Sequence, residues 1–142
     1  MRYEYAPDLQ EKAVEISKLL FPWVNMERVK CFRSYGSSSR GTVARCHALG
    51  KVMQKAMNVH AFYTLEFISK RFDKLSDEDK IKVIIHELMH IPKTFGGGFR
   101  QHDFVCDKNI NIFYKTYQNY KRVNGFDKDI KDTNKNESWF KF

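Results

Sequence analysis

His86 and His90 flank Glu87 in the run HELMH, and His102 follows across a Pro and three consecutive Gly. On a helix, each residue advances about 100° around the axis. With Ile81 as origin, Ile84, Ile85 and Leu88 fall within about 60° of it and form an apolar stripe. His86 and His90 fall together on the far side, one turn apart, with Glu87 beside them. Two imidazoles spaced i, i+4 can take two corners of a zinc tetrahedron. A carboxylate between them reaches a metal-activated water without being a ligand, which is the logic of the HExxH pattern.

A catalytic zinc takes about three ligands from the protein and keeps a position for water. No Glu lies between Glu87 and Glu137, so a Glu ligand on the following helix is excluded. The remaining donors are His102, Asp103, Cys106 and Asp107. His102 is preferred, because neutral imidazole suits zinc and PKTFGGG lets the chain double back. Asp103 is second; Cys106 shares the His102 face but reads as a core residue. Eleven residues separate His90 from His102, unlike the short HExxHxxGxxH spacing. The competing reading is polar decoration on an ordinary helix; a strand before the motif, and a turn and further His after it, favour the metal site. His47 and His60 lack ligand spacing and read as structural or surface residues. For the oxyanion of a hydrolytic reaction, Arg100, Tyr117 and Tyr120 are candidate donors.

The elements that must position these groups follow from periodicity and punctuation. Pro7 opens a helix with Leu9, Ala13, Ile16, Leu19 and Leu20 on one face, and Pro22 stops it. Residues 27–49 read as two strands joined as a long hairpin by the Gly/Ser-rich loop 36–41, which Arg33, Arg40 and Arg45 flank. GKVMQKAMN fits a helical turn or a loop. Residues 59–68, rich in aromatic and β-branched types, form a strand expected at the sheet edge, where it would hold an extended peptide. Ser76 with Asp79 caps a helix over 77–91, and acidic residues 77–79 suit its dipole. Pro92 and Gly96–Gly98 turn the chain, and a second long helix is expected over 99–123. Residues 1–125 then form one domain and 126–142 a polar tail onto which Trp139 and Phe140 can dock back. The fold class is α+β: a small, mostly antiparallel sheet packed on the N-terminal helix, the HExxH helix and the following long helix.

Composition bounds the rest. A 142-residue chain with 42% hydrophobic residues supports one packed core. The net charge of +8 is spread along the chain rather than gathered in a block, consistent with weak association with nucleic acid. No signal peptide or membrane-length apolar run is present, and three cysteines without knuckle spacing point to a reducing, cytoplasmic setting. Cys31 and Cys46 would face each other across the expected hairpin; three free thiols are nonetheless preferred. Oligomeric state is not specified by any pattern in the chain.

The stretch LEFISKRFDKLSDEDKIKVIIHELMHIPKTFGGGFRQHD resembles the metallopeptidases identified in archaea and phages, with a strand, an acid-capped helix bearing HELxHIP, a Gly-rich turn and a later His. More loosely it is similar to SprT-like zincins. The close resemblance spans about residues 43–105. It implies a minimal zincin fold, one zinc ion held by His86, His90 and His102, Glu87 as catalytic base, and a polypeptide substrate whose identity it does not specify. The second reading, from another class, is a non-catalytic zinc-stabilised binding or regulatory module whose basic charge would let it contact nucleic acid. Glu87 discriminates, since a structural zinc site has no use for a carboxylate between its ligands.

Overall fold

The computed structural model describes residues 1–101 and 103–124, and residues 125–140 as the helical continuation of the last element without their side chains. Elements run β1 (Arg2–Tyr5), α1 (Pro7–Leu20), β2 (Val29–Tyr35), β3 (Ala44–Ala48), α2 (Lys51–Met57), β4 (Tyr63–Ile68), α3 (Ser69–Phe72), α4 (Asp77–Met89) and α5 (Asp107–Phe140). The four strands make one sheet in the order β1-β2-β4-β3. Two of its pairings are antiparallel and one, β2 with β4, is parallel. The α+β architecture expected from the sequence is therefore present, as a small and mostly antiparallel sheet packed on α1 and α4, with α5 packed against those two helices.

The expected hairpin is not. β4 lies between β2 and β3, so the loop after Tyr35 crosses the end of β4 rather than turning back on its own strand. The burial of β4 gives the reason: Tyr63, Leu65, Glu66, Phe67 and Ile68 are all buried. A strand buried at five of its six residues gains most in the middle of a sheet, covered on both sides. The strand expected at the edge is thus interior, and β3, with Arg45 and His47, forms the edge instead, as charged strands do. Cys31 and Cys46 flank Leu65 from opposite sides. Two strand spacings put their Cα atoms about 9–10 Å apart, beyond disulfide reach, and all three cysteines are free.

α1 begins with Pro at its first turn and buries Leu9, Ala13, Ile16 and Leu20. Where β1 ends, Gln10 continues its work: its amide donates to Val29 O (2.8 Å) and accepts from Cys31 N (2.8 Å). Ser76 caps α4 by accepting from Asp79 N (3.1 Å), and Asp77, Glu78 and Asp79 occupy the first turn. The apolar stripe of α4 is the expected one, with Ile81, Ile84, Ile85 and Leu88 all buried. At roughly 1.5–3 kcal/mol for each buried side chain, that stripe fixes the helix rotation and hence where its other face points. α5 starts at Asp107, not near Phe99; residues 99–101 and 103–106 lie outside any helix. The expected tail from residue 126, with Trp139 and Phe140, lies outside the described side chains. Among the described residues, no helix is long and apolar enough to cross a membrane.

Candidate active site

The last turn of α4 carries the candidate chemistry. Because the apolar stripe is buried, His86 and His90 turn together to the opposite side, with ring centroids 5.1 Å apart and planes 35° from parallel. Glu87 is buried (5% exposed), and burial pushes its carboxyl up to about 7. All three line one cavity of about 420 Å³ with Ala44, Arg45 and Cys46 of β3 and with Phe99, Arg100 and Gln101. The edge strand therefore runs beside the histidine pair, and its free side faces the cavity. The same β3 places the Cys46 thiol there; burial, with the Glu87 charge, pushes that thiol up and keeps it protonated.

His90 sits at the C-cap of α4 and is clasped by the segment ten residues downstream. Arg100 N donates to His90 O (2.7 Å), and His90 Nδ1 meets Arg100 O at 3.3 Å. Only the tautomer protonated at Nδ1 satisfies that carbonyl, and it makes Nε2 the basic ring nitrogen. A ring nitrogen donating to a backbone carbonyl while the other stays basic is how a metal-ligating His is oriented. The residues present thus fit a metal ion at two of its ligands. Among the described residues, no group of three or more His, Cys, Asp and Glu side chains is arranged to hold one. His102, the expected third ligand, lies outside the described residues.

The turn carrying the chain from His90 to His102 is held from the sheet side. Buried Tyr63 on β4 donates its hydroxyl hydrogen to Gly98 O (2.7 Å) and accepts from Gly97 N (2.9 Å). Gln54 on α2 donates to Leu49 O (2.7 Å) and Gly96 O (3.1 Å). Gly97 has φ +101°, and a Cβ there would stand 2.7 Å from Leu49 O, so only Gly fits. Tyr63 and Gln54 were not among the residues singled out by sequence. An isolated Tyr or Gln far from the motif carries no local signal of such a role.

The remaining candidates separate. Arg100 lines the cavity, its guanidinium over the Phe104 ring at 3.6 Å. Tyr117 is buried and donates to Glu15 Oε1 of α1 (2.8 Å), and it does not line the histidine cavity; nor does Tyr120, which is exposed. Asp103 is exposed and accepts from Phe104 N (2.9 Å). Asp107 lines a second cavity of about 400 Å³ with His86, Val83 and Ile110. His47 bonds Glu66 Oε1 (2.7 Å) across the sheet, a structural role as expected.

A family model described as "Putative phage metallopeptidase" matches residues 1–132 of the chain. The chain belongs to this phage metallopeptidase family. The match covers the sheet, α1, α4 and the described part of α5, so the family resemblance extends well beyond the HELMH turn. Comparison with curated proteins and with solved structures gives no match. Membership in a metallopeptidase family implies a metal ion and a peptide-hydrolysing activity, and it favours the enzyme over the non-catalytic binding module.

Proposed function

We propose that this phage metallopeptidase is an HExxH zincin, loosely SprT-like, holding one zinc ion through His86, His90 and His102 and cleaving polypeptides with Glu87 as base. The observation that carries the reading is the cavity wall itself: two parallel-leaning imidazoles with a buried carboxylate between them in sequence, beside a free sheet edge. Zinc bound there supplies Lewis acidity, polarising a carbonyl and acidifying water. Glu87 takes the proton from the attacking water and hands it to the leaving amine. The contact of His90 Nδ1 with Arg100 O would hold the ring for ligation through Nε2 without a search of rotamers.

β3 supplies the substrate platform. An extended peptide adds to its free edge through main-chain hydrogen bonds, a mode tolerant of side-chain sequence. Arg100 is the oxyanion donor that this geometry favours over Tyr117 and Tyr120, since it alone of the three lines the cavity. The polypeptide substrate and the cytoplasmic setting belong to the same reading.

The deciding experiment compares Glu87→Gln with wild type for zinc content and for cleavage of a panel of unfolded proteins. The expected outcome is one zinc per chain in both and loss of at least about a hundredfold in cleavage by the variant, as for a general base. Equal activity would remove Glu87 from the mechanism. Zinc retained in a His102→Ala protein would move the third ligand to Asp103.

A further inference from the structure

Helices α1 and α4 cover one face of the sheet, with α5 packed against them. On the other face, the register aligns three cross-strand rows. Tyr3 lies opposite Ser34, which pairs with Ile68; Tyr5 lies opposite Phe32, Glu66 and Arg45; Lys30 lies opposite Thr64 and His47. Partners in register point to the same face. The Tyr5 and Phe32 rings meet edge-on at 5.8 Å, and the His47–Glu66 bond crosses the same rows.

Ser34, Glu66 and Ile68 are buried on these rows, and the part of the face that stays accessible combines aromatic rings with cations. Tyr3 is 57% and Tyr5 46% exposed, large values for aromatic residues on a sheet. Phe32, Lys30 and Arg45 are half-buried beside them and His47 is exposed. The rows end in a cavity of about 420 Å³ whose lining includes Arg28, His47, Met57, Val59, Phe62 and Thr64. There Arg28 lies over the Phe62 ring at 5.4 Å and donates to Ala61 O and His60 O, which fixes its position. Neither Arg28 nor Lys30 forms an ion pair among the described residues. The carboxylate on these rows, Glu66, is buried and engaged by His47.

We propose that the accessible part of this sheet face docks single-stranded nucleic acid. The bases stack on Tyr3 and Tyr5 and enter the Phe62 cavity, and the phosphates run past Lys30, Arg45 and Arg28. The chain's charge of +8 has no basic block in the sequence, and here folding gathers part of it among aromatic rings. A flat sheet bearing exposed rings suits unstacked bases, whose faces a duplex hides. Basic residues placed between the rings match a backbone that threads among its own bases, whereas a peptide substrate finds its unpaired hydrogen-bonding edge on β3.

The test is fluorescence anisotropy of a labelled oligodeoxythymidine of about 16 nucleotides, a single-strand site length, with the full chain. Three phosphate contacts predict a salt slope of about −2 on a log–log plot. Tyr3→Ala/Tyr5→Ala weakens binding about tenfold or more with the salt slope kept, as loss of stacking requires. Lys30→Glu weakens binding and flattens the slope. Lys18→Glu, an equal charge change on exposed α1, stays within about twofold. Thermal melting verifies folding, and the Lys30→Glu arm stands even if the double variant loosens β1. The proposal falls if Lys18→Glu and Lys30→Glu weaken binding equally, or if the oligonucleotide does not bind. It also falls if anionic vesicles, and not the oligonucleotide, respond to these substitutions. None of these readouts involves proteolysis, so the outcome is independent of the peptidase mechanism.

Discussion

Tyr63→Phe isolates the tie between the sheet and the metal turn. The ring is fully buried and packs edge-on against Phe95 at 5.0 Å, and the substitution leaves that packing intact. It removes only the hydroxyl, and with it the bonds to Gly98 O and Gly97 N. Two net hydrogen bonds are worth about 1 kcal/mol each, and an orphaned amide costs about 1 kcal/mol more. Gly98 is exposed, so its carbonyl recovers water and the total comes down to about 2 kcal/mol. For a chain of this size that lowers the melting temperature by about 4–8 °C. The turn also sets where the chain arrives after His90, so zinc affinity falls about tenfold, the low end for residues that orient ligands. The assay is thermal denaturation of the metal-free protein, paired with zinc competition against a chelator. Ile16→Val, a core change remote from the turn at about 1 kcal/mol, serves as control: it lowers the melting temperature and leaves zinc affinity unchanged. If Tyr63→Phe also leaves zinc affinity at the wild-type value, the turn does not position the metal site.

Two glycines give a contrast within three residues. Gly97→Ala meets Leu49 O at 2.7 Å with φ at +101°, and loses about 3 kcal/mol or more, whereas Gly98→Ala meets nothing within 4 Å and stays within about 0.5 kcal/mol; chemical denaturation reads both. Leu88→Ala, in the fully buried stripe opposite the histidines, costs about 2–5 kcal/mol by the same measurement. Arg33 is forked between Asp8 (2.8 and 2.9 Å) and Asp73 (3.1 Å), and its guanidinium holds the Asp8 carboxyl below its usual range. A lowered folded-state value means stability that is present above the unfolded carboxylate range and lost as pH falls through the folded one. The melting temperatures of wild type and Arg33→Gln therefore differ at neutral pH, and the gap closes as pH falls below the ordinary aspartate range and through the lowered Asp8 value; an unchanged gap in acid would assign Arg33 a packing role alone.

The parts of this protein that could be read from its sequence are those governed by local rules. Pro7, Ser76 with Asp79, and the Ile81–Leu88 spacing fix α1 and α4 through capping and periodicity, and these rules act within one or two turns. The direction of His86 and His90 followed from the same arithmetic. What failed depends on pairing between distant segments. A Gly/Ser loop between two strands reads as a hairpin, because nothing local reveals that a third strand will insert between them. The signal that was present lay in composition: TLEFI buries nearly every residue, while ARCHA carries two basic side chains. That contrast marks β4 as central and β3 as edge. The late start of α5 has a similar source, since the backbone of Arg100 is committed to clasping His90.

That commitment explains an otherwise odd element. α2 buries none of its residues, and Val52, Met53 and Met57 are exposed, so hydrophobic burial is not what keeps it in the fold. Its structural contribution passes through Gln54, which joins Leu49 O to Gly96 O and so fastens the end of the edge strand to the turn that follows HELMH. Tyr63, at the start of β4, grips the next two residues of that turn, and Arg100 beyond it clasps His90. The unit β3–α2–β4 therefore does two things at once: it offers the free edge beside the cavity and anchors the backbone leading out of α4. Hydrogen bonds from Leu49 through Gln54 to Gly96, and from Arg100 to His90, thus tie the end of the edge strand and the ring of His90 to the same turn, a support that a five-residue motif on an isolated helix lacks.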